Sequence, residues 1–237
     1  MARASSLRRI CLVGATGLVG RSLVEACVGR GDVRLVAVTR REMDLPAGAR
    51  MEVLLAPVEG WPEAIAASRA DVFVCALGTT MKDVGGDRDA FRAVDHDLVL
   101  ASAKAARDAG IRHMILVSSV GADAASGNFY LRTKGEVEAQ LRKLGFARLD
   151  VLRPGLLVGK RDAVRPIERL AMVFAPVMNL FLNGKARRYR SIRTSDLADT
   201  ILALAQERSA GKFVHEHDAL RYAAKRSVDY REAREAA

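Results

Sequence analysis

Residues 9–20 read RICLVGATGLVG, and this stretch decides the fold. Residues 10–13 form an apolar run typical of a buried strand, and the apolar residues after them recur at helical spacing. Between the two patterns, Gly14, Gly17 and Gly20 have a GxxGxxG spacing, and Gly20 would let the helix approach the strand. A helix that begins directly after a strand points its unpaired N–H groups at one place, which favours phosphate. This pattern predicts a dinucleotide-binding turn, with a tight structural turn as the alternative.

The length and composition of the chain fit one α/β domain with a small C-terminal addition. It has 237 residues, half of them hydrophobic, and a formal charge of +10 at pH 7. The basic residues are scattered, and their densest run is 185–190. An arginine-rich proteome accounts for such a charge, and attraction to an anionic cofactor, a nucleic acid or a membrane surface is the alternative. Nucleic-acid binding has no support besides this charge, so we do not favour it.

The cysteines and the apolar segments bear on metal binding and on location. Cys11, Cys27 and Cys75 form no CxxC pair, which fits a reducing compartment, and we expect no bound metal. His215 and His217 could share one face of a strand, but they lack a third ligand. The apolar block 170–182 is too short to span a bilayer, and no signal peptide or transmembrane segment is recognisable. These features predict a cytoplasmic protein.

Strand and helix patterns alternate along the rest of the chain. Apolar runs predict strands at 34–39, 51–56, 71–77, 111–117 and 148–153, and a helical stripe predicts a long helix at 89–109. This alternation predicts an α/β fold with a doubly wound, mostly parallel sheet of the Rossmann type. We expect 1–237 to form a single domain, in which about 156–193 lie on the substrate side and 221–237 form a mobile tail.

Two arginines bear on the choice of cofactor. Arg40 and Arg41 directly follow the second predicted strand. An acidic residue there would bind the ribose 2′-hydroxyl of NAD, whereas arginine meets the 2′-phosphate of NADP. Glu42 and Asp44 come later in the chain, so we predict that NADP(H) is preferred and NAD(H) is the alternative. Two solvated arginines at a strand end would also explain the pattern.

A further group of residues predicts proton transfer. Tyr130 and Lys134 lie one helical turn apart, and Ser118 and Ser119 end the strand before them. A free phenol has a pKa of about 10, and a neighbouring ammonium favours its charged form. A serine at the strand end can bind the substrate oxygen while the cofactor transfers a hydride. We predict that Ser119, Tyr130 and Lys134 are catalytic, with Ser118 as the alternative serine. Termination of a strand would also explain the two serines.

With these residues the chain resembles the short-chain dehydrogenase/reductase superfamily, of the extended or atypical kind. Within that superfamily it is similar to the Tat-interacting-protein type of NADPH-binding oxidoreductases. The resemblance rests on the blocks 12–24, 75–80, 116–141 and 151–166. It implies contacts of the cofactor with Gly14, Thr16, Gly17, Leu18 and Val19 at the pyrophosphate, Arg40 and Arg41 at the 2′-phosphate, Leu77, Gly78 and Thr79 at the adenosine side, and Pro154, Gly155 and Leu156 beside the nicotinamide. It also implies that Ser119, Tyr130 and Lys134 form the catalytic triad. We further expect Ser118, Tyr130 and Lys134 to contact the cofactor.

The patterns and the resemblance together predict an NADP-dependent oxidoreductase that reduces a carbonyl group, or oxidises the matching alcohol, of a small apolar substrate. The block 170–182 would form the wall on the substrate side. A core or dimer helix, or a peripheral membrane contact beside 185–190, would also explain this block. The alternative functions are an NADPH-binding sensor that acts through a protein partner and a sugar-nucleotide epimerase. The protein would be a monomer or a homodimer.

Overall fold

Strands and helices alternate in the computed structural model, which describes residues 7–159, 182 and 184–235. In chain order they are β1 (Arg8–Val13), α1 (Leu18–Ala26), β2 (Val33–Thr39), β3 (Glu52–Leu55), α2 (Trp61–Ala67), β4 (Val72–Cys75), α3 (Arg88–Arg92), α4 (Val99–Asp108), β5 (His113–Val117), α5 (Phe129–Leu141), β6 (Arg148–Leu152), β7 (Leu157–Val158), β8 (Ile192–Arg193), α6 (Thr194–Ala205), β9 (Gly211–His215) and α7 (His217–Glu235). Short 3-10 turns lie at Val58–Gly60 and Gly184–Tyr189. The predicted strands up to β6 are present, with ends displaced by one or two residues.

Seven strands form one parallel sheet in the order β3-β2-β1-β4-β5-β6-β9. The chain runs outward from β1 to β3 and then returns to the other side of β1 with β4. This reversal opens a crevice between the carboxyl ends of β1 and β4. Val13 pairs with both Val38 and Cys75, so the three strands end level at the crevice. The predicted doubly wound α/β fold is therefore confirmed.

The sheet is covered by helices on both faces, which explains its uninterrupted apolar strands. Alternate side chains of each strand point to opposite faces. One face, which includes Leu12 and Ile115, packs against residues of α1, α6 and α7. The other face, which includes Phe73 and Met114, packs against residues of α2, α4 and α5. Burial of each large apolar side chain stabilises the fold by about 1.5–3 kcal/mol.

The glycines of the first turn let α1 lie close to β1. A Cβ on Gly20 would lie 2.1 Å from the carbonyl oxygen of Gly14 and 2.7 Å from Cα of Ala15. A Cβ on Gly14 would lie 2.5 Å from the carbonyl carbon of Ala76, and Gly14 has a φ of +86° that favours glycine. The close approach predicted at Gly20 is confirmed.

The predicted long helix at 89–109 contains an irregular turn. A π-helical turn, Ala93–Leu98, joins α3 to α4. Asp87 caps the start of α3, because its side chain accepts hydrogen bonds from the backbone N–H groups of Asp89 and Ala90. Within the π-helical turn, Asp95 and His96 are buried. The turn therefore directs polar side chains into the protein, as π-helical turns at functional sites often do.

The C-terminal helices hold α1 in place. Helix α6 packs against α1, and α7 packs against α6. The hydroxyl of Ser22 on α1 donates a hydrogen bond of 2.8 Å to Oγ1 of Thr194 at the start of α6. A Cβ on Gly159 would lie 2.4 Å from the same Thr194 oxygen, so the chain after β7 also closes on this contact. The first helix is thus fixed by β1 and by the last third of the chain.

Two expectations for the C-terminal third differ from the structure. Strand β9 is not predicted as part of the sheet, because Lys212 and Val214 are exposed at the sheet edge and its apolar pattern is weak. Residues 221–235, expected to be part of a mobile tail, lie in α7, where Ala223 and Ala224 are buried. Residues 160–181 and 183 lie outside the described part of the chain. They include most of the expected substrate-side segment 156–193 and most of the block 170–182. No helix in the described ranges has the length and apolar character to cross a membrane.

A buried ionic cluster joins β5, β6 and β9. Asp150 is fully buried and accepts hydrogen bonds from Nε2 of His113 at 2.8 Å, from Nε2 of His215 at 2.7 Å and from Nε of Arg148 at 2.6 Å. Burial alone would raise the pKa of the Asp150 carboxyl, but these hydrogen bonds and the Arg148 charge hold it well below its usual value. Burial lowers the pKa of His113, although the contact with Asp150 opposes this. The cluster holds the three strands in register while Asp150 is charged.

Candidate active site

A cavity of about 340 Å³ opens at the carboxyl ends of β1 and β2. Its wall is formed by the glycine turn, the end of β2 and the loop after β4, through residues Gly14, Ala15, Thr16, Arg21, Val38, Thr39, Arg40, Arg41, Glu42, Trp61 and Leu77. The predicted Arg40 and Arg41 lie exposed at its rim. Glu42 lies there as well, so one acidic side chain accompanies the arginines at this cavity.

The start of α1 is open to an anion. Its N-cap residue is Gly17, and no side chain caps the helix. The N–H of Gly17 donates a 3.1 Å hydrogen bond to the oxygen of Gly14, which closes the turn. Thr16 is exposed at the same place, whereas the side chain of Val19 is buried in the core, so Val19 can reach a ligand only through its backbone. The N–H groups of the first turn of α1, which no side chain caps, fit the pyrophosphate that the sequence predicts here.

The predicted Lys134 forms a buried ion pair. Its Nζ lies 2.7 Å from Oδ1 of Asp95, and the two side chains are only 8% and 1% exposed. The other carboxylate oxygen of Asp95 accepts a 2.7 Å hydrogen bond from the N–H of Thr79. Burial alone would lower the pKa of Lys134, but the charge of Asp95 raises it above the usual value. Lys134 therefore stays charged at neutral pH.

Tyr130 lies on the first turn of α5, one turn before Lys134. Asn128 caps this helix through a 3.1 Å hydrogen bond from the N–H of Leu131. The ring of Tyr130 packs edge-on against Phe91, with 5.8 Å between ring centroids. This contact fixes the ring between α3 and α5 while leaving it partly exposed. The structure thus brings the predicted tyrosine and lysine to one face of one helix.

The two candidate serines differ in their surroundings. Ser118 is buried, and its hydroxyl donates a 2.6 Å hydrogen bond to Glu138. Glu138 also binds the guanidinium of Arg153, at 2.6 Å from Nη2. Among the described residues, the hydroxyl of Ser119 makes one long hydrogen bond, at 3.4 Å to the oxygen of Val120. Ser119 is partly exposed, so its hydroxyl can bind another group, whereas that of Ser118 is already engaged.

The remaining predicted contacts lie around the same edge of the sheet. The oxygen of Pro154 accepts a 3.0 Å hydrogen bond from the N–H of Val120, which joins the loops after β5 and β6. Leu156 is exposed. A Cβ on Gly155 would lie 2.4 Å from the oxygen of Arg190, so the chain near the 3-10 turn Gly184–Tyr189 lies against this loop. Leu77, Gly78 and Thr79 follow β4 as predicted, and the side chain of Leu18 is partly buried at the start of α1.

Sequence reasoning missed Asp95, Glu138 and Arg153. Helical spacing could have indicated the inward position of Asp95, because Asp95 lies four residues after the buried Phe91 and so shares the inward face of that helix. The same spacing could have indicated the position of Glu138, because Glu138 lies four residues after Lys134 on the helix face that carries Tyr130. The partner of each acid comes from a distant part of the chain, which no local spacing reveals.

His215, His217 and Cys75 contact neighbouring groups of the fold or are buried in it. His215 binds Asp150, whereas His217 begins α7 and lies 3.0 Å from Asp218, so the two do not share a strand face. Burial raises the pKa of the Cys75 thiol to about 12. Within the described ranges, no group of histidine, cysteine, aspartate and glutamate side chains is arranged to hold a metal ion.

The reversal of strand order, the open start of α1 and the cavity beside it define a nucleotide-binding α/β protein. Residues 14–167 match the family model described as NAD(P)H-binding. The chain is 36% identical over 176 residues to "Protein fmp52, mitochondrial" of Emericella nidulans, covering 71% of this chain and 75% of that protein. The chain therefore belongs to the NAD(P)H-binding family.

Solved structures show the same fold. A putative NAD-dependent epimerase/dehydratase from Bacillus halodurans superimposes with a TM-score of 0.66 at 23% identity, over 92% of this chain and 99% of that one. The oxidoreductase ylbE from Lactococcus lactis superimposes with a TM-score of 0.63 at 21% identity, over 93% of this chain and 96% of that one. At these identities the likeness concerns the fold alone.

The predicted cytoplasmic location is wrong. Fungal relatives that are 34–39% identical to this chain are named mitochondrial proteins. The prediction relied on unpaired cysteines and on the absence of a recognisable targeting or membrane segment. Reduced cysteines occur in every reducing compartment, so they do not separate the cytoplasm from others.

Proposed function

We propose that the protein is an NADP(H)-dependent oxidoreductase that reduces a carbonyl group, or oxidises the matching alcohol, of a small molecule. The observation that carries this proposal is the buried, charged Lys134 one helical turn from Tyr130, with the available hydroxyl of Ser119 at the end of β5. This group lies at the carboxyl edge of the sheet, as does the cavity beside the open start of α1. The resemblance to Tat-interacting-protein-type oxidoreductases supports the same interpretation.

Tyr130, Lys134 and Ser119 have separate roles in the proposed reaction. When bound, NADPH supplies the hydride. Tyr130 gives its phenolic proton to the carbonyl oxygen in reduction and takes it back in oxidation. The ammonium of Lys134 can hold the ribose hydroxyls, and the charge of Asp95 keeps that ammonium charged. Ser119 donates a hydrogen bond to the substrate oxygen and so stabilises the charge that develops there.

The preference for NADP(H) rests on the rim of the cavity. Arg40 and Arg41 are exposed there, and a planar guanidinium binds a phosphate through two parallel hydrogen bonds. Glu42 at the same rim would repel a phosphate, but the two arginines outnumber it. We therefore propose that the arginines bind the 2′-phosphate of the cofactor.

We also propose that the chain acts as one domain with residues 156–193 on the substrate side. Tyr189, in the described part of this segment, supports the proposal because it lies close to Gly121. A Cβ built on Gly121 would lie 3.9 Å from the hydroxyl of Tyr189. Gly121 follows Ser119 by two positions, and the same Cβ would lie 3.5 Å from a methyl carbon of Leu131. A tyrosine hydroxyl and a leucine side chain would thus face the substrate.

The experiment is a fluorescence titration of the purified protein with NADPH and NADH. Arg40→Ala/Arg41→Ala should weaken NADPH binding roughly tenfold or more and leave NADH binding unchanged, because only NADPH carries the lost phosphate contacts. Arg112→Ala/Lys143→Ala removes the same charge from exposed positions outside the cavity and is the matched control. Equal weakening by both double variants would refute the assignment of the arginines.

Turnover is tested next with a panel of carbonyl compounds. Tyr130→Phe should lower kcat by roughly 10²–10⁴-fold while the protein still binds NADPH, because only the transferable proton is lost. Tyr222→Phe, at an exposed tyrosine on α7, is the control. Tight cofactor binding with no turnover of any carbonyl would favour the sensor function, and absence of binding to either cofactor would refute the oxidoreductase.

A further inference from the structure

Asp95 places a buried negative charge beside the lysine of the candidate active site. We propose that this charge balances that of Lys134 and thereby sets the relative affinity of the site for the oxidised and reduced forms of the nicotinamide cofactor. The inference rests on the proposed function, because it assumes that the cofactor binds at the carboxyl edge of the sheet. Asp95 acts through Lys134, so it is a positioning residue and not a catalytic one.

Three segments of the chain meet at this carboxylate. Asp95 comes from the π-helical turn, Lys134 from α5 and Thr79 from the loop after β4. A Cβ on Gly78 would lie 3.5 Å from Oδ1 of Asp95 and 3.9 Å from Nζ of Lys134, so the backbone of Gly78 borders both charges. The same loop contributes Leu77 to the wall of the cavity. The ion pair is therefore continuous with the edge at which a cofactor would lie.

The charge of Asp95 is needed for its contact with Lys134 and not for its contact with Thr79. An asparagine could accept the hydrogen bond from Thr79 equally well and would avoid the desolvation cost of a buried carboxylate. The contact with Lys134 is a close ion pair at 2.7 Å, and both side chains are buried. Attraction between the opposite charges therefore stabilises this contact. A role for the charge itself explains why a carboxylate stands here.

The two redox forms of the cofactor differ by one charge on the nicotinamide ring. The oxidised ring is positive and the reduced ring is neutral, so an unbalanced ammonium nearby would repel the oxidised form alone. Burial weakens the screening of such a repulsion by water and salt. The thiol of Cys75 adds no charge nearby, because burial raises its pKa to about 12. Asp95 and Lys134 together form a neutral pair that does not penalise the oxidised cofactor.

The test compares the dissociation constants for NADP⁺ and NADPH in four proteins. Asp95→Asn leaves Lys134 unbalanced, so the ratio of Kd for NADP⁺ to Kd for NADPH should rise roughly tenfold. Lys134→Met leaves Asp95 unbalanced, so the ratio should fall by a similar factor. The double variant restores a neutral pair and should return the ratio to about that of the wild type, although both affinities are lower.

A matched control separates this effect from a general change of charge. Asp97→Asn makes the same chemical change in the same π-helical turn, at a side chain that is 67% exposed, and should leave the ratio unchanged. Circular dichroism and thermal unfolding establish that each variant is folded. If Asp95→Asn does not fold, Lys134→Met and the double variant still decide the question, because the first must lower the ratio and the second must restore it.

The outcomes for the inference and for the proposed function are distinguishable. A wild-type protein that binds neither NADP⁺ nor NADPH refutes both. Normal binding by the wild type, with a ratio in folded Asp95→Asn that stays within about twofold of the wild-type ratio, refutes only the role of Asp95. Proportional weakening of both cofactor forms in every variant would likewise show that the pair has a structural role alone.

Discussion

Substitution of Gly20 by alanine is expected to damage stability and cofactor binding together. The new Cβ would lie 2.1 Å from the oxygen of Gly14, whereas ordinary contact begins at 3.4 Å, so α1 must move by about 1.3 Å. The neighbouring atoms belong to the backbone of Gly14 and Ala15 and cannot rotate away. Overpacking of this kind costs about 1–3 kcal/mol, and we expect about 3 kcal/mol because no side chain can yield.

The same displacement moves the open start of α1 away from the glycine turn. A hydrogen bond to a charged group contributes about 1.5–3 kcal/mol, so loss of one backbone contact to the pyrophosphate should weaken NADPH binding at least roughly tenfold. Urea denaturation measures the first effect, and fluorescence titration with NADPH measures the second. Both effects should appear in Gly20→Ala, because they have one geometric cause.

Gly31→Ala is the matched control for this prediction. A Cβ at Gly31 meets no atom within 4 Å. The control should be as stable as the wild type or slightly more stable, because alanine restricts the unfolded chain. If Gly20→Ala unfolds at the same urea concentration as Gly31→Ala and binds NADPH as tightly, the reasoning from the approach of α1 to β1 is refuted.

Three further predictions concern the buried cluster and the serines. Asp150→Asn should lower the free energy of unfolding by about 3–5 kcal/mol in urea at pH 7, because the buried Arg148 cation loses its partner. A loss below about 1 kcal/mol would contradict this. In the wild type, the free energy of unfolding should fall as the pH drops below about 6.5 and more steeply below about 4. The reason is that the unfolded chain takes up protons at His113, and then at Asp150, before the folded protein does. In Asp150→Asn the fall below about pH 4 should be shallower, and equal slopes in the two proteins would contradict the role given to Asp150. Ser119→Ala should reduce turnover and leave the free energy of unfolding unchanged. Ser118→Ala should lower the free energy of unfolding by about 1–3 kcal/mol, because the buried carboxylate of Glu138 loses a hydrogen-bond donor. The reverse pattern would exchange the roles of the two serines.

The sequence is sufficient to predict those parts of the fold that local patterns determine. The apolar run before Gly14, the glycine spacing and the helix after it lie within a few residues of one another, so their geometry follows from the backbone alone. Strands β1, β2, β4, β5 and β6 are largely buried, and their apolar runs predict them well. Strand β3 lies at one edge of the sheet and is only partly buried, yet its short apolar run still predicts it. Strand β9 is not predicted, because an edge strand with exposed Lys212 and Val214 lacks the apolar pattern of the others.

The polar contacts of the candidate site could be predicted only in part. Tyr130 and Lys134 are separated by one helical turn, so their common face follows from their spacing. The pairing of Lys134 with Asp95 depends on how two helices meet and on a π-helical turn, and both arise from tertiary contacts. The engagement of Ser118 by Glu138 also depends on tertiary contacts, so no sequence pattern could have separated the two serines.

The contact between α1 and α6 has a consequence for synthesis of the protein. Residues of α1 leave the ribosome before those of α6, so Ser22 meets its partner Thr194 only after the 171 residues between them have been made. We therefore expect α1 to lack one of its packing partners until α6 has been translated. If the position of α1 matters for cofactor binding, that binding is expected only after translation of the last third of the chain.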